Sequence, residues 1–144
     1  MADMSDFLES GLAQHMFRTS SYTKPATLAI CLATGTLTES MDGTLGSVEV
    51  VNASGYARQL LAPSNSNWTY NGQVGGSGNV DNASEISFGP ATGPWGTVTY
   101  LAITDSGTYG SGNMLYFKAL DISKSPTSGD YVKIAVGSLD VYFG

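Results

Sequence analysis

The chain holds one histidine, His15, one cysteine, Cys31, and twelve carboxylates, and these residues bound the chemistry open to it. A Ser-His-acid nucleophile would have only His15 as its base. His15 falls three residues after Leu12, near the end of an expected helix, where capping or packing is the ordinary role. His15 and Cys31 are 16 residues apart on different elements and match no metal-ligand spacing, and the carboxylates contain no Asp-x-Asp-x-Asp-Gly run. The nearest approach, "ESMDG" at 39–43, reads as an Asp-Gly turn. Two carboxylates from distant strands would serve glycoside hydrolysis, but no spacing selects a pair. The glycine-rich "GQVGGSGNVDNAS" at 72–84 has no lysine and opens no helix, so it reads as a flexible surface loop rather than a phosphate cradle. The triplets beginning at Asn52, Asn67 and Asn82 match the glycosylation pattern and read more simply as Asn-rich turns. No catalytic residue, metal or cofactor is expected.

Binding candidates remain. Trp68 and Tyr70 stand in an Asn-rich stretch read as a loop, where aromatics favour contact with a partner. Trp95, in a Pro-Trp-Gly corner, either caps the end of a sandwich or stacks on a ligand. Arg58, one of two arginines, is suited to a buried or inter-subunit ion pair, with Asp105 or Glu49 as its carboxylate. Phe7, Leu8 and Leu12 form the apolar side of an N-terminal helix that could anchor on a neighbour.

These side chains need elements to hold them. "MSDFLESGLAQHMFR" predicts a helix with Ser5 as N-cap, Asp6 and Glu9 in the first turn, and Leu8, Leu12 and Met16 one turn apart. Gly11 weakens its middle, so the helix depends on docking against a sheet. After Pro25 the period changes to two. In "ATLAICLAT", Leu28, Ile30 and Leu32 alternate with Ala29, Cys31 and Ala33, the pattern of a central strand buried on both faces. "TGTLTESMDGTLG" reads as a long loop. The stretches "SVEVV", "YARQLLA", "SEISF", "GTVTYLAITD", "MLYFKAL", "YVKIAVG" and "SLDVYF" read as further strands, each bounded by Gly, Pro, Asn, Asp or Ser. About eight strands without intervening helices predict an all-β fold, an antiparallel β-sandwich of jelly-roll type with a short N-terminal α-helix. One domain is expected over 1–144, with a helix and arm at 1–24 and the sandwich at 25–144.

Composition agrees. Glycine, serine and threonine make up 50 of the 144 residues, which favours turns and short strands. A net charge of −6 with only four lysines and two arginines, scattered along the chain, speaks against nucleic acid as a partner. No apolar run approaches the roughly 20 residues of a membrane span, and no export signal opens the chain, so neither a membrane nor a secretory route is expected. A single cysteine in an apolar run fits a buried thiol made in a reducing cytoplasm.

In order and over nearly the whole chain, "FLESGLAQHMFRTSSYTKPATLAICLAT", "GYARQ", "ISFGPATGPWGTVTYLAITDS", "MLYFKAL" and "SGDYVKIAVGSLDVYF" resemble a family of small virion proteins of tailed bacteriophages. The resemblance implies a non-enzymatic virion component assembled in the host cytoplasm. Its leading form is a capsid decoration or cement protein that binds the major capsid protein or other virion proteins as a homo-oligomer, with a trimer favoured. The alternative is a tail-fibre or receptor-binding module that contacts host glycan or protein through Trp68, Tyr70 and Trp95. A carbohydrate-active enzyme or free lectin stands third.

Overall fold

The computed structural model of the chain describes residues 2–143. It is antiparallel and sandwich-like, all-β apart from one N-terminal helix and a short 3-10 turn, as the pattern of short strands predicts. Strand β1 (Asp3–Met4) leads into helix α1 (Asp6–Phe17), and an arm over 18–28 leads to β2 (Ala29–Ala33) and the two-residue β3 (Gln59–Leu60). The rest comprises β4 (Trp68–Val74), β5 (Ser77–Asn82), β6 (Ile86–Phe88), β7 (Val98–Thr104), β8 (Met114–Lys124), β9 (Val132–Ile134) and β10 (Val141–Phe143). One sheet runs β1, β8, β7, β2, β3. A second runs β10, β5, β4, and β6 pairs with β9.

β2 is buried at all five positions, with β7 on one side and β3 on the other, as its two-faced apolar pattern requires. Its two faces enter different cores. Ile30 and Leu32 join the main core with Phe88, Ile103, Val132 and Leu139, which draws the two smaller sheets onto one face of the large one. Cys31 and Ala33 face a second core with Leu37, Leu45, Ala102, Met114 and Phe117. Leu37 and Leu45 come from the stretch expected to be a long loop. It is a long loop apart from a short 3-10 turn at Leu45–Ser47, as expected, and through these two residues it covers the sheet's second face.

Three expectations need correction. "SVEVV" forms no named strand and touches the sheet through one bridge, Ala33 to Glu49, while "YARQLLA" contributes only β3. Side chains hold this region in place of a ladder, as described below. "GQVGGSGNVDNAS" is no flexible loop, because it carries the turn of the β4–β5 hairpin and all of β5. Val74 pairs with Ser77 across Gly75 and Gly76, whose φ values of +62° and +91° suit the two-residue turns that match strand twist. Trp68 and Tyr70 accordingly stand on a strand. β5 escapes a hydrophobic-period reading because its two buried positions are asparagines, Asn79 and Asn82, three residues apart and so on opposite faces of the strand. Asn82 donates to the carbonyls of Ser84 and Ala135 and accepts from the Leu139 N–H, so its side chain is an internal brace rather than a turn residue.

The helix begins where expected. Ser5 caps it, accepting from the Leu8 N–H while its own hydroxyl donates to the Met114 carbonyl, and the Ser5 N–H donates to the Leu115 carbonyl at 2.9 Å. Strand β8 thereby fixes where α1 starts. Leu8 is buried in the main core and Leu12 packs against it, but Met16 is 71% exposed, so only the first two turns dock.

Candidate functional site

A cavity of about 450 Å³ opens between α1, the arm, β4, β8 and β10. Leu8 and Leu12 form its helical wall because the Ser5 cap ties the first turn to β8. Tyr22, Pro25 and Leu28 come from the arm, which folds back along the helix. His15 secures that return by accepting from the Tyr22 N–H at 3.2 Å. Gly11 makes room for it, since a Cβ there would stand 2.8 Å from the Tyr22 ring. The glycine that weakens the helix is thus what lets the arm pack on it, and Phe7 meets the other side of Tyr22 edge-on at 6.4 Å.

The opposite wall is aromatic. Trp68 is half-buried and its indole donates to the Leu61 carbonyl at 3.0 Å, which fixes the ring, while Tyr70 is 71% exposed. The β4–β5 register shifts just after Tyr70, between Tyr70 and Gly72, so two residues of β4 oppose one of β5 there. At the back, Tyr116 of β8 meets Phe143 of β10 edge-on at 5.6 Å. Tyr116 is only 5% exposed, and its hydroxyl has no hydrogen-bond partner among the described residues. Burial, with a smaller contribution from nearby Tyr22, pushes its phenol well above the ordinary range, so it carries its proton at neutral pH. The one charged residue in the lining, Lys24, is exposed at the rim.

The structure brings together four of the residues singled out from sequence, Leu8, Leu12, Trp68 and Tyr70, and places Phe7 behind Tyr22. It separates Arg58 and Trp95 from them. Trp95 is buried, donates to the Ser54 carbonyl at 2.8 Å and packs edge-on against Tyr56, so the corner it occupies is internal and its ring is not a surface contact. Arg58 forms its ion pair with Glu49, not Asp105. Its Nε and Nη2 donate to the two Glu49 oxygens at 2.8 and 2.7 Å, and its remaining N–H groups reach the carbonyls of Gly43, Ser106 and Ser111. The Tyr56 hydroxyl donates to Glu49 and accepts from the Leu32 N–H. This cluster replaces the missing ladder over 48–58, and its role is structural.

Sequence reading missed Tyr22, Tyr116 and Phe143 as lining residues. The one signal was a phenol in an apolar strand, which needs a partner for its hydroxyl.

The buried acids predict an alkaline limit. Burial chiefly raises the Cys31 thiol, pushing it up to about 12 from an ordinary 9.0, with Arg58 opposing the shift and Glu49 adding to it. Tyr56 and Tyr116 are likewise raised from 10.0, mainly by burial. Each folded-state value exceeds the unfolded one, so the unfolded chain releases these protons first. Stability is therefore complete below pH 9 and declines as pH rises toward 12, at up to about 1.4 kcal/mol per pH unit per group. Urea midpoints at about pH 7 and 8 should agree and that at about pH 10.5 should be lower, and a flat profile would contradict the burial of these groups.

The cavity is lined mainly by apolar and aromatic side chains, with Lys24 at its rim. Among the described residues no cluster of three or more His, Cys, Asp or Glu side chains could hold a metal ion, and no helix is long and apolar enough to cross a membrane. No curated protein matches the sequence. Residues 3–142 match the family described as Podophage GP4 fiber I protein gp80, and with nearly its whole length aligned the chain belongs to this family of phage fibre proteins.

Proposed function

We propose that the protein is a non-enzymatic structural component of a podophage tail fibre, where it holds a neighbouring virion protein through the cavity beside α1. The observation that carries this reading is the match of residues 3–142 to a fibre family. A place on the tail therefore has more support than the capsid decoration role that led the expectations from sequence. The geometry adds a contact surface, because Leu8, Leu12, Trp68 and Tyr70 line one apolar opening. Host glycan or protein is the second partner class for that surface, and it rests on Trp68 and Tyr70 alone, since Trp95 is internal. A trimer remains part of the proposal, in keeping with an elongated fibre built from repeated copies.

The test is the copy number of the protein in purified virions, by quantitative mass spectrometry against the major capsid protein, with immunogold labelling for position. A handful of copies at the tail is the expected result. Hundreds spread over the head would overturn it in favour of decoration, and absence from the particle would remove the virion role.

A further inference from the structure

Helix α1 ends in an uncovered apolar pair. Met16 is 71% exposed and Phe17 83%, the most of any large apolar side chain among the described residues. Arg18 follows directly, and Lys24 lies on the arm that returns beside the helix. Both are exposed, and neither has a carboxylate within ion-pair distance among the described residues. Residues 10–38 contain no carboxylate at all, so that stretch carries +2 on a chain of −6 and leaves −8 on the remainder. The other end of α1 has the reverse character. Asp3, Asp6, Glu9 and Glu39 are exposed and paired with no cation among the described residues. The Asp6 N–H donates to the Glu39 carbonyl at 2.9 Å, which holds residue 39 against the helix start, and Phe7 stands among these acids, 43% exposed. The helix dipole accounts for Asp6 and Glu9 within one molecule. It accounts for neither Asp3 nor Glu39, which lie outside the helix, and it leaves Met16 and Phe17 in water at the far end. Twelve helical residues span about 18 Å, so one molecule cannot bring its own two ends together.

We propose that the two ends of α1 meet between copies of this chain: Met16 and Phe17 of one copy cover Phe7 of the next, and Arg18 and Lys24 come to the carboxylates around it. The inference deepens the homo-oligomer included in the function proposed above and rests on it. Charge selects a second copy as the occupant, because each copy offers the cationic end of α1 a surface of opposite sign that also carries an exposed aromatic ring. The two contacting surfaces differ, so the interface is head-to-tail, and a ring of three copies satisfies both ends of every helix.

The test is sedimentation equilibrium of the full chain over a range of concentrations, at about 50 mM and about 500 mM salt. The parent should form a closed trimer at low salt and move toward monomer at high salt. Phe17→Ser should raise the concentration needed for association about tenfold, the loss of one apolar anchor. Glu39→Lys gives a test of sign. It lowers the net charge from −6 to −4, which relieves general repulsion between copies, yet association should weaken about fivefold because a cation then stands where Arg18 and Lys24 must land. Asp121→Lys makes the same change of charge on the half of β8 remote from the Ser5 cap, and should associate at least as well as the parent. All three positions are exposed, so the variants should melt as the parent does. A parent that stays monomeric at low salt, a Phe17→Ser variant that associates unchanged, or a Glu39→Lys variant that associates as well as Asp121→Lys would each overturn the proposal. Tail location is read on the particle and this association in solution, so failure of one is distinguishable from failure of the other.

Discussion

Replacing Arg58 by alanine is expected to destabilise the protein by about 3–5 kcal/mol, the range for breaking one side of a buried ion pair. The side chains of Arg58 and Glu49 are 1% and 2% exposed, so the alanine variant leaves a carboxylate buried without its cation. It also strips donors from the carbonyls of Gly43, Ser106 and Ser111, which belong to loops on either side of the guanidinium. Those loops have no ladder of their own at that point, so the loss is structural as well as electrostatic. Arg58→Lys should recover little, because an ammonium cannot reproduce the two-pronged contact with Glu49. Combining Arg58→Ala with Glu49→Gln should recover part of the loss by removing the stranded charge. Urea unfolding of the four proteins measures this. A loss below about 1 kcal/mol for Arg58→Ala would mean that the pair is solvated and does not organise residues 48–58.

Trp95→Ala should cost about 3–5 kcal/mol, as for other large-to-small changes at buried aromatics, and lower the melting temperature by roughly 10–15 °C. Trp95 packs edge-on against Tyr56 at 5.6 Å, and Tyr56 stacks on Phe88, which is fully buried. Removing the indole opens a cavity beside the same Tyr56 whose hydroxyl holds Glu49, so the two sites are coupled and their effects should not add. The comparison with Trp68 is the informative part. Trp68→Ala should cost less stability, because its ring is half-buried at the cavity wall. Thermal melts of the two variants separate the roles. If Trp95→Ala melted like the parent while Trp68→Ala fell by more, the assignment of the core tryptophan would be reversed.

Those two tryptophans show where a reading of residues stops. Both are aromatic, both lie beside glycine, proline or asparagine, and no local feature separates the one in the core from the one at an opening. Arg58 is a partial success. Its rarity and its shape point to a buried pair with Glu49 or Asp105, but choosing between the two carboxylates requires knowing that 48–58 folds back on itself. The helix start was legible because an N-cap acts within four residues. The β4–β5 hairpin was illegible because the buried positions of β5 are asparagines, Asn79 and Asn82, satisfied by groups far along the chain such as Ala135, Leu139 and Asp140.

Local and statistical features suffice for the all-β class, the single short helix with its Ser5 cap, the two-faced β2 strand and the lack of any catalytic grouping within a short span. They depend on period, turn chemistry and composition, which act over a few residues. The cavity is of another kind. Leu8, Tyr22, Trp68, Tyr116 and Phe143 come from five separate segments, and they meet only because the β8 carbonyls fix the helix start, Gly11 admits the arm and β10 closes beside β5. The unpartnered state of the Tyr116 hydroxyl is likewise a property of what packs around it. Contacts across more than a hundred residues of sequence are set by burial and hydrogen-bond satisfaction of the whole chain, and no short stretch carries that information.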